Sequence, residues 1–198
     1  MKTFLLDPFI NYFGQRWWAP AEFGRIEAFV NRGDRVLDIG SGGGWTGELL
    51  KEKKGATVTL LDVQDFNQTK LPLLLYDGKR MPFEDDSFDT ALLLFVLHHC
   101  EYPVRALKET MRVSKRVIIL EDTFRNRFER IVACANDTIT NLPSFFVSKE
   151  GMNLPFHFRK TSEWKRVFKE LQMKLIYTKQ KQFFHMPLQK TLFVLERE

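Results

Sequence analysis

The feature that most constrains this chain is a glycine-rich turn that directly follows an apolar segment. Residues 36–47 read Val-Leu-Asp-Ile-Gly-Ser-Gly-Gly-Gly-Trp-Thr-Gly. Glycines permit positive φ and let the backbone approach a ligand closely, and the start of a following helix offers unpaired N–H groups. The segment therefore predicts a buried strand, a ligand-binding turn and a helix, in that order.

The rest of the chain alternates apolar segments of strand length with segments of helical period, which is the pattern of a parallel sheet with crossover helices. The predicted strands are residues 35–39, 57–63, 73–76, 90–97, 116–121, 174–184 and 190–196. The last two lie too close together for a helical crossover, so they predict an antiparallel pair at one edge. The expected fold class is α/β, a doubly wound Rossmann-like sheet of seven strands, mostly parallel with a C-terminal antiparallel strand pair.

Four apolar stripes at helical spacing predict helices that face the core. Their members are Phe23, Ile26 and Val30; Val104, Leu107 and Met111; Phe128, Ile131, Val132, Ala135, Ile139 and Leu142; and Trp164, Val167, Phe168 and Leu171. Pro103 suits the first turn of the second helix, and Thr161 with Ser162 predicts the cap of the fourth.

A chain of 198 residues with 44% hydrophobic and 28% charged residues is expected to form one globular domain, residues 1–198. Within it, residues 1–30 are predicted as a helical arm or lid, and the aromatic-rich residues 143–160 as an insertion near the acceptor site. Two cysteines do not support a disulfide scaffold or a structural zinc site, and no metal site is predicted. The absence of a signal peptide and of a long apolar run predicts a cytoplasmic protein without a membrane span.

An acidic residue closes the second predicted strand. Asp62 follows Thr59-Leu60-Leu61, where a carboxylate can accept hydrogen bonds from both hydroxyls of an adenosine ribose. Together with the glycine turn it indicates a nucleoside-containing cofactor. A nicotinamide dinucleotide is a genuine alternative, because Gly42, Gly44 and Gly47 have the dinucleotide spacing and Asp62 lies about twenty residues on.

Two features of the turn argue against a dinucleotide. Asp38 lies inside the first strand, where its carboxylate would repel a pyrophosphate but attract a cationic or amine-bearing ligand. Counted from Gly40, where the strand ends, the dinucleotide register places Trp45 at the position of the third glycine. The predicted final hairpin also differs from the parallel units that usually end a dinucleotide-binding domain.

A third feature lies at residues 77–89, which read Asp-Gly-Lys-Arg-Met-Pro-Phe-Glu-Asp-Asp-Ser-Phe-Asp before the fourth predicted strand. With this segment the sequence closely resembles the class I S-adenosylmethionine-dependent methyltransferases, in particular the small-molecule group that includes the ubiquinone/menaquinone-biosynthesis type enzymes. The resemblance is strong over residues 20–125 and looser elsewhere. It implies S-adenosylmethionine as cofactor and methyl transfer as the reaction.

The resemblance also implies which residues contact the cofactor. It assigns the methionine part to the glycine turn, the ribose to Asp62 with Val63 beside the adenine, the adenine amino group to Asp77 and Gly78, and the end of the fourth strand to the methionine moiety. The full set is Asp38, Gly40, Ser41, Gly42, Gly44, Asp62, Val63, Asp77, Gly78, Leu94 and Phe95. Each residue also has a purely structural alternative, in a turn, a cap or the strand itself.

His98 and His99 follow the fourth strand, at the sheet edge where doubly wound folds bind ligands. One of them is a candidate general base for a hydroxyl or an acidic carbon; a capping or packing role is the alternative. Glu121-Asp122 and His157 are further pocket candidates, with a helix cap and a surface loop as the favoured interpretations.

The sequence does not identify the methyl acceptor or the oligomeric state. A small-molecule acceptor, methylated at oxygen or carbon, is the favoured hypothesis. The net charge of +5 raises an RNA methyltransferase as the alternative, but the basic residues are scattered, so nucleic acid is not the expected partner. A non-catalytic protein that binds S-adenosylmethionine is a third hypothesis.

Overall fold

The computed structural model describes residues 7–147, 155–182 and 188–197, and side chains from residue 16 onward except those of residues 141–147. Within these ranges the helices are α1 (Asp7–Ile26), α2 (Trp45–Lys54), α3 (Pro103–Val113), α4 (Arg127–Val147) and α5 (Thr161–Glu170). The strands are β1 (Arg35–Ile39), β2 (Thr57–Asp62), β3 (Leu73–Leu75), β4 (Phe88–Leu94), β5 (Ser114–Thr123), β6 (Met173–Gln182) and β7 (Gln189–Arg197). Over the described part of the chain, no helix is both long enough and apolar enough to cross a membrane.

The seven strands form one sheet in the order β3-β2-β1-β4-β5-β7-β6. The first five in this order are parallel, whereas β7 runs antiparallel to both β5 and β6. The predicted fold class and the antiparallel pair are confirmed. The chain runs outward from β1 through β2 to β3 and then crosses back to β4 on the other side of β1. The carboxyl ends of β1 and β4 therefore flank the crevice where such sheets bind ligands.

Successive residues of a strand point to opposite faces of the sheet, so the side chains of the strands belong alternately to two apolar layers, one on each face. Leu37 of β1 packs in the layer that holds Leu107 of α3 and Trp164 of α5. Val36 packs in the other layer, with Ile26 of α1 and Leu50 of α2. Three of the predicted helical stripes therefore lie in or against the core.

The third stripe was predicted wrongly at most of its described positions, although Val132 packs against a small buried cluster. Phe128 and Ile131 of α4 are each 67% exposed and Ile139 is 70% exposed. The face of α4 that is buried carries residues four apart, namely Glu129, Ala133 and Asp137. Two acids thus occupy positions that hydrophobicity alone assigns to solvent, because each has partners inside: Glu129 accepts from Arg125, and Asp137 lies against a histidine pair.

The fourth strand also ends earlier than predicted, at Leu94 rather than Leu97. Phe95 has a φ of 60°, and residues Leu97–His99 form a 3₁₀ turn. The backbone N–H groups of Val96 and Leu97 donate to the Glu121 carboxylate at 2.9 and 2.7 Å. A buried side chain thus takes the donors that a continuing strand would give to its neighbour.

The remaining differences are local. Helix α5 begins at Thr161, and its cap is Lys160, whose N–H donates to Glu163 at 2.7 Å. The cap predicted at Thr161 and Ser162 was therefore placed too far along the chain, starting one residue after the observed cap. Residues 1–6 of the predicted arm and 148–154 of the predicted insertion lie outside the described residues, as do the side chains of Phe145 and Phe146. Both segment assignments stay predictions.

Candidate functional site

The glycine turn lies at the carboxyl end of β1, between the sheet and the start of α2. Gly40 has a φ of +63°, and a Cβ there would lie 2.7 Å from Val96 Cγ2. Gly44 has a φ of +78°, and its Cβ would lie 2.7 Å from Leu60 Cδ1. Both conformation and space exclude larger residues, so the turn passes close to β2 and to the segment after β4.

Asp62 ties the end of β2 to this turn. Its carboxylate accepts hydrogen bonds from the N–H groups of Gly42 at 3.0 Å and Val63 at 2.7 Å. Burial raises the pKa of Asp62, and the backbone hydrogen bonds from Gly42 and Val63 oppose that effect. The predicted ribose-binding acid and the predicted turn are therefore in direct contact, and Asp62 positions the turn as well.

Three carboxyl groups gather at this end of the sheet. Asp38 is 3% exposed, and burial, followed by the charges of Glu22 and Asp62, raises its pKa to about 7. Glu22 of α1 accepts a hydrogen bond from the Thr46 hydroxyl at 2.7 Å, and burial raises its pKa as well. Buried acids that repel one another favour a cationic ligand, which would stabilise their ionised forms.

The hydroxyl of Ser41 is buried in the turn without a hydrogen-bond partner among the described residues. A buried polar atom without a partner is costly, so a ligand or a solvent molecule is expected to satisfy it. Its position beside the carboxyl groups gives this end of the crevice a hydroxyl as well as negative charge.

The other predicted cofactor residues continue the crevice on two sides. Val63 is 57% exposed at the end of β2, and a Cβ on Gly78 would lie 3.5 Å from its side chain, so these two residues are brought together. Asp77 is exposed and accepts from Lys79 N–H, which lowers its pKa. Leu94 is the last residue of β4. The Lys190 ammonium lies over the Phe95 ring, 3.9 Å from the ring centroid.

Glu121 contacts the histidine pair through the His98 ring. His98 is 2% exposed, and its Nδ1 lies 2.6 Å from Glu121 Oε2, while its ring stacks on Phe158 with centroids 4.4 Å apart. Burial opposes a charged ring, but the charge of Glu121 and the hydrogen bond with Asp137 outweigh it and raise the pKa of His98 to about 10. Glu121 therefore binds the start of the Leu97–His99 turn rather than the start of α4, and His98 lies between two carboxylates.

His99 lies in a different environment from its neighbour. Its Nε2 is 3.4 Å from Asp137 Oδ1, and its Nδ1 is buried with no hydrogen-bond partner among the described residues. Burial and then the charge of His98 lower the pKa of His99 to about 4, so its ring is neutral at pH 7. The predicted pair therefore consists of one ring that keeps its proton and one that is uncharged.

Glu22, Asp137 and Lys190 border the site but are not among the residues that the sequence indicated. Glu22 lies one helical turn before the buried Ile26, and Asp137 lies two turns after Glu129, so an acid on a buried helix face is the only signal. The Lys190 ammonium lies 3.3 Å from Asp122 Oδ1 across the β5–β7 pair, and no local sequence pattern predicts this contact.

Comparison with known proteins finds a family match for the segment that carries this geometry. Residues 37–117, which include the turn, Asp62 and the 77–89 segment, match the family described as methyltransferase domain. Over this segment the chain is similar to the S-adenosylmethionine-dependent methyltransferases. It is 33% identical over 114 residues to the ubiquinone/menaquinone biosynthesis C-methyltransferase of Burkholderia mallei, which covers 48% of this chain and 46% of that protein.

Solved structures of this methyltransferase class agree in fold. A chain in the complex between the Haloferax volcanii Trm112 methyltransferase activator and a methyltransferase has a TM-score of 0.73 and 16% identity, over 96% of this chain and 93% of that one. An S-adenosylmethionine-dependent methyltransferase from Methanosarcina mazei has a TM-score of 0.64 and 19% identity, over 87% and 96%. The chain spans less than half the length of the curated relatives it matches.

The residues present fit the cofactor of this class, S-adenosylmethionine. Its methionine part carries an ammonium and its sulfur is a sulfonium, and the crevice offers the Asp38 and Glu22 carboxyl groups. Its carboxylate group suits the Ser41 hydroxyl, which has no partner among the described residues. The Cβ positions at Gly40 and Gly44 are taken by the Val96 and Leu60 side chains, so these two glycines fix the shape of the turn.

Proposed function

We propose that this protein transfers a methyl group from S-adenosylmethionine to a small-molecule acceptor, at oxygen or carbon. The observation that carries the proposal is the cluster of Glu22, Asp38 and Asp62 around the glycine turn, which is electrostatically suited to a cationic nucleoside ligand and unsuited to a pyrophosphate. A cytoplasmic location is part of the same proposal.

In this proposal, different residues contact different parts of the cofactor. Asp38 and Glu22 attract the ammonium, and Asp62 accepts hydrogen bonds from the ribose. Asp77, Gly78 and Val63 border the adenine, and Leu94 and Phe95 border the methionine moiety. When bound, the cofactor supplies an already activated methyl group, so the protein mainly aligns the acceptor and excludes water.

The acceptor side is proposed to lie beyond Phe95, at the histidine pair. His98 is held by Glu121 and Asp137, so it positions the segment rather than accepting a proton. The side chain of His99 is 25% exposed, and its ring is uncharged. The predicted base role is therefore assigned to His99 rather than to His98.

An RNA acceptor is the second candidate, and the ion pairs of the described residues weigh against it. Five arginines that contribute to the basic charge lie within hydrogen-bond distance of carboxylates. The pairs are Arg35–Asp89, Arg112–Glu109, Arg116–Glu196, Arg125–Glu129 and Arg197–Asp86. A guanidinium that is already paired is less available to phosphate, which supports a small-molecule acceptor.

The cofactor part of the proposal is tested by thermal unfolding with S-adenosylhomocysteine. A ligand at about 100 times its Kd adds about 2.7 kcal/mol of stability, which corresponds to a rise in Tm of roughly 5–10 °C for a chain of this size. Asp62→Asn is expected to abolish most of the shift, whereas Asp65→Asn, an exposed acid in the next loop, keeps it. A shift with NADH and none with S-adenosylhomocysteine would refute the proposal.

The acceptor part of the proposal is tested by measuring methyl transfer. Fractions of a cell extract, separated into metabolites and RNA, are incubated with the protein and S-adenosylmethionine carrying a labelled methyl group. Label in the metabolite fractions supports the proposal, and label in RNA that falls steeply with salt supports the alternative. Cofactor binding without label in any fraction would favour the non-catalytic hypothesis.

A further inference from the structure

The cluster around His98 contains more ligating groups than a packing role requires. One ligand atom from each of His98, His99 and Asp137 lies within 4.8 Å of the other two. Asp137 Oδ1 is 3.5 Å from His98 Nε2 and 3.4 Å from His99 Nε2. Two ligands bound to one metal ion at about 2.1 Å with a tetrahedral angle are roughly 3.4 Å apart, so the two distances from Asp137 to the imidazole nitrogens match a common ligand sphere.

We propose that His98, His99 and Asp137 bind a divalent first-row transition metal ion such as Zn²⁺. Two imidazoles and one carboxylate are a donor set that such ions accept, and hard ions such as Mg²⁺ and Ca²⁺ prefer oxygen ligands alone. Three protein ligands leave at least one coordination position open. The site is thus of the kind that binds a water molecule or a substrate oxygen rather than a purely structural one.

Glu121 provides the support that metal-binding histidines usually have. A carboxylate only accepts hydrogen bonds, so the 2.6 Å contact with His98 places a proton on Nδ1. Nε2 faces Asp137, and binding of an ion there would release the proton that Nε2 shares with that carboxylate. The other oxygen of Glu121 holds the N–H groups of Val96 and Leu97, and Phe158 stacks on the ring. The orientation of His98 is therefore fixed before any ion binds.

The position of the cluster gives the ion a function that rests on the proposed methyl transfer. Val96 packs against Gly40 of the cofactor turn, and His98 follows it by two residues. An ion at the cluster would border the acceptor side of the crevice, where its open position suits an acceptor with a hydroxyl or enol oxygen. It would then take the place of His99 as the group that activates this oxygen.

The test uses the full chain, stripped with a chelator and then titrated with Zn²⁺ by calorimetry. We expect one equivalent to bind, at least about 100-fold more weakly in His99→Ala and in Asp137→Asn, and 10–100-fold more weakly in Glu121→Gln. His157→Ala is the matched control: His157 lies next to the cluster through its backbone N–H but contributes no ligand, so binding should be unchanged.

Two further measurements keep the test decisive if a variant unfolds. Extended X-ray absorption of the Zn²⁺-loaded wild-type protein should show imidazole and oxygen ligands; a sulfur ligand would point to Cys100 or Cys134 and overturn the proposal, as would failure of the wild-type chain to bind Zn²⁺. The shift in Tm with S-adenosylhomocysteine is measured on the chelated protein. Its loss would refute the proposed function, whereas failure of the metal titration alone would refute only the metal site.

Discussion

Replacing Asp38 by Asn isolates the energetic consequence of burying this carboxyl group. The pKa of Asp38 is raised to about 7 in the folded protein, from 3.8 in an exposed acid. The folded state therefore holds a proton that the unfolded state releases, and stability from this group is present at low pH and is lost as the pH rises toward 7. Asn has a similar shape and does not titrate.

The two pKa values set the expected size of the effect. Ionisation of Asp38 is expected to remove about 3 kcal/mol of stability from the wild-type protein between pH 5 and pH 8. The free energy of unfolding of Asp38→Asn, relative to wild type, should therefore increase by about 3 kcal/mol over that interval. The physical reason is that the variant avoids a charge confined near Glu22 and Asp62.

The assay is urea unfolding followed by circular dichroism, at both pH values and without ligand, with Asp65→Asn as the exposed control. A difference between Asp38→Asn and wild type that is the same at pH 5 and pH 8 would contradict the reasoning. So would a difference that shrinks, because it would mean that the native state favours the ionised form. Either result would remove the electrostatic basis for a cation at this site.

Three other changes test the site and the core. S-Adenosylhomocysteine should bind wild type more tightly as the pH rises from 5 to 7, by up to about tenfold per unit, with proton release in calorimetry, because its ammonium favours ionised Asp38; a pH-independent affinity would contradict this. Gly40→Ala should lower stability by about 1–3 kcal/mol through its φ of +63° and its contact with Val96, and Val96→Ala should restore only the steric part, as measured in denaturant. Trp164→Ala should cost about 3–5 kcal/mol because the side chain is fully buried, whereas Ile131→Ser on the exposed face of α4 should change stability by less than about 0.5 kcal/mol; similar losses for the two would refute the assignment of α4.

Strands β1, β2, β4, β5 and β7 could be predicted from the sequence because they are largely buried on both faces and are therefore nearly continuous apolar runs, whereas β6 is mostly exposed. The predicted and observed bounds of β1 are identical, and the antiparallel β6–β7 pair followed from the short distance along the chain. The end of β4 could not be predicted, since a distant carboxylate, Glu121, binds the N–H groups that would extend it. Hydrophobicity also placed Phe128 and Ile131 of α4 inward, because it assigns no benefit to a buried acid with partners.

The candidate site could be predicted in part for a related reason. Asp38, Asp62 and the glycine turn come from the ends of neighbouring strands, so chain order and parallel pairing are enough to bring them together. Glu22 and Asp137 lie on helices that cross these ends, and their approach depends on helix packing that no local spacing encodes. The candidate residues at strand ends, including His98 and His99, were therefore accessible from the sequence, and the helix residues Glu22 and Asp137 were not.

The contact between Gly40 and Val96 joins the two halves of the site. Gly40 belongs to the turn whose next glycine, Gly42, is held by Asp62, and Val96 belongs to the segment whose N–H groups are held by Glu121. Two buried carboxylates thus fix, from opposite sides, a pair of backbone segments in van der Waals contact. The sheet thereby sets the separation between the turn, which is the proposed cofactor side, and the histidine pair, which is the proposed acceptor side, and alignment of a methyl donor with its acceptor would require such a fixed separation.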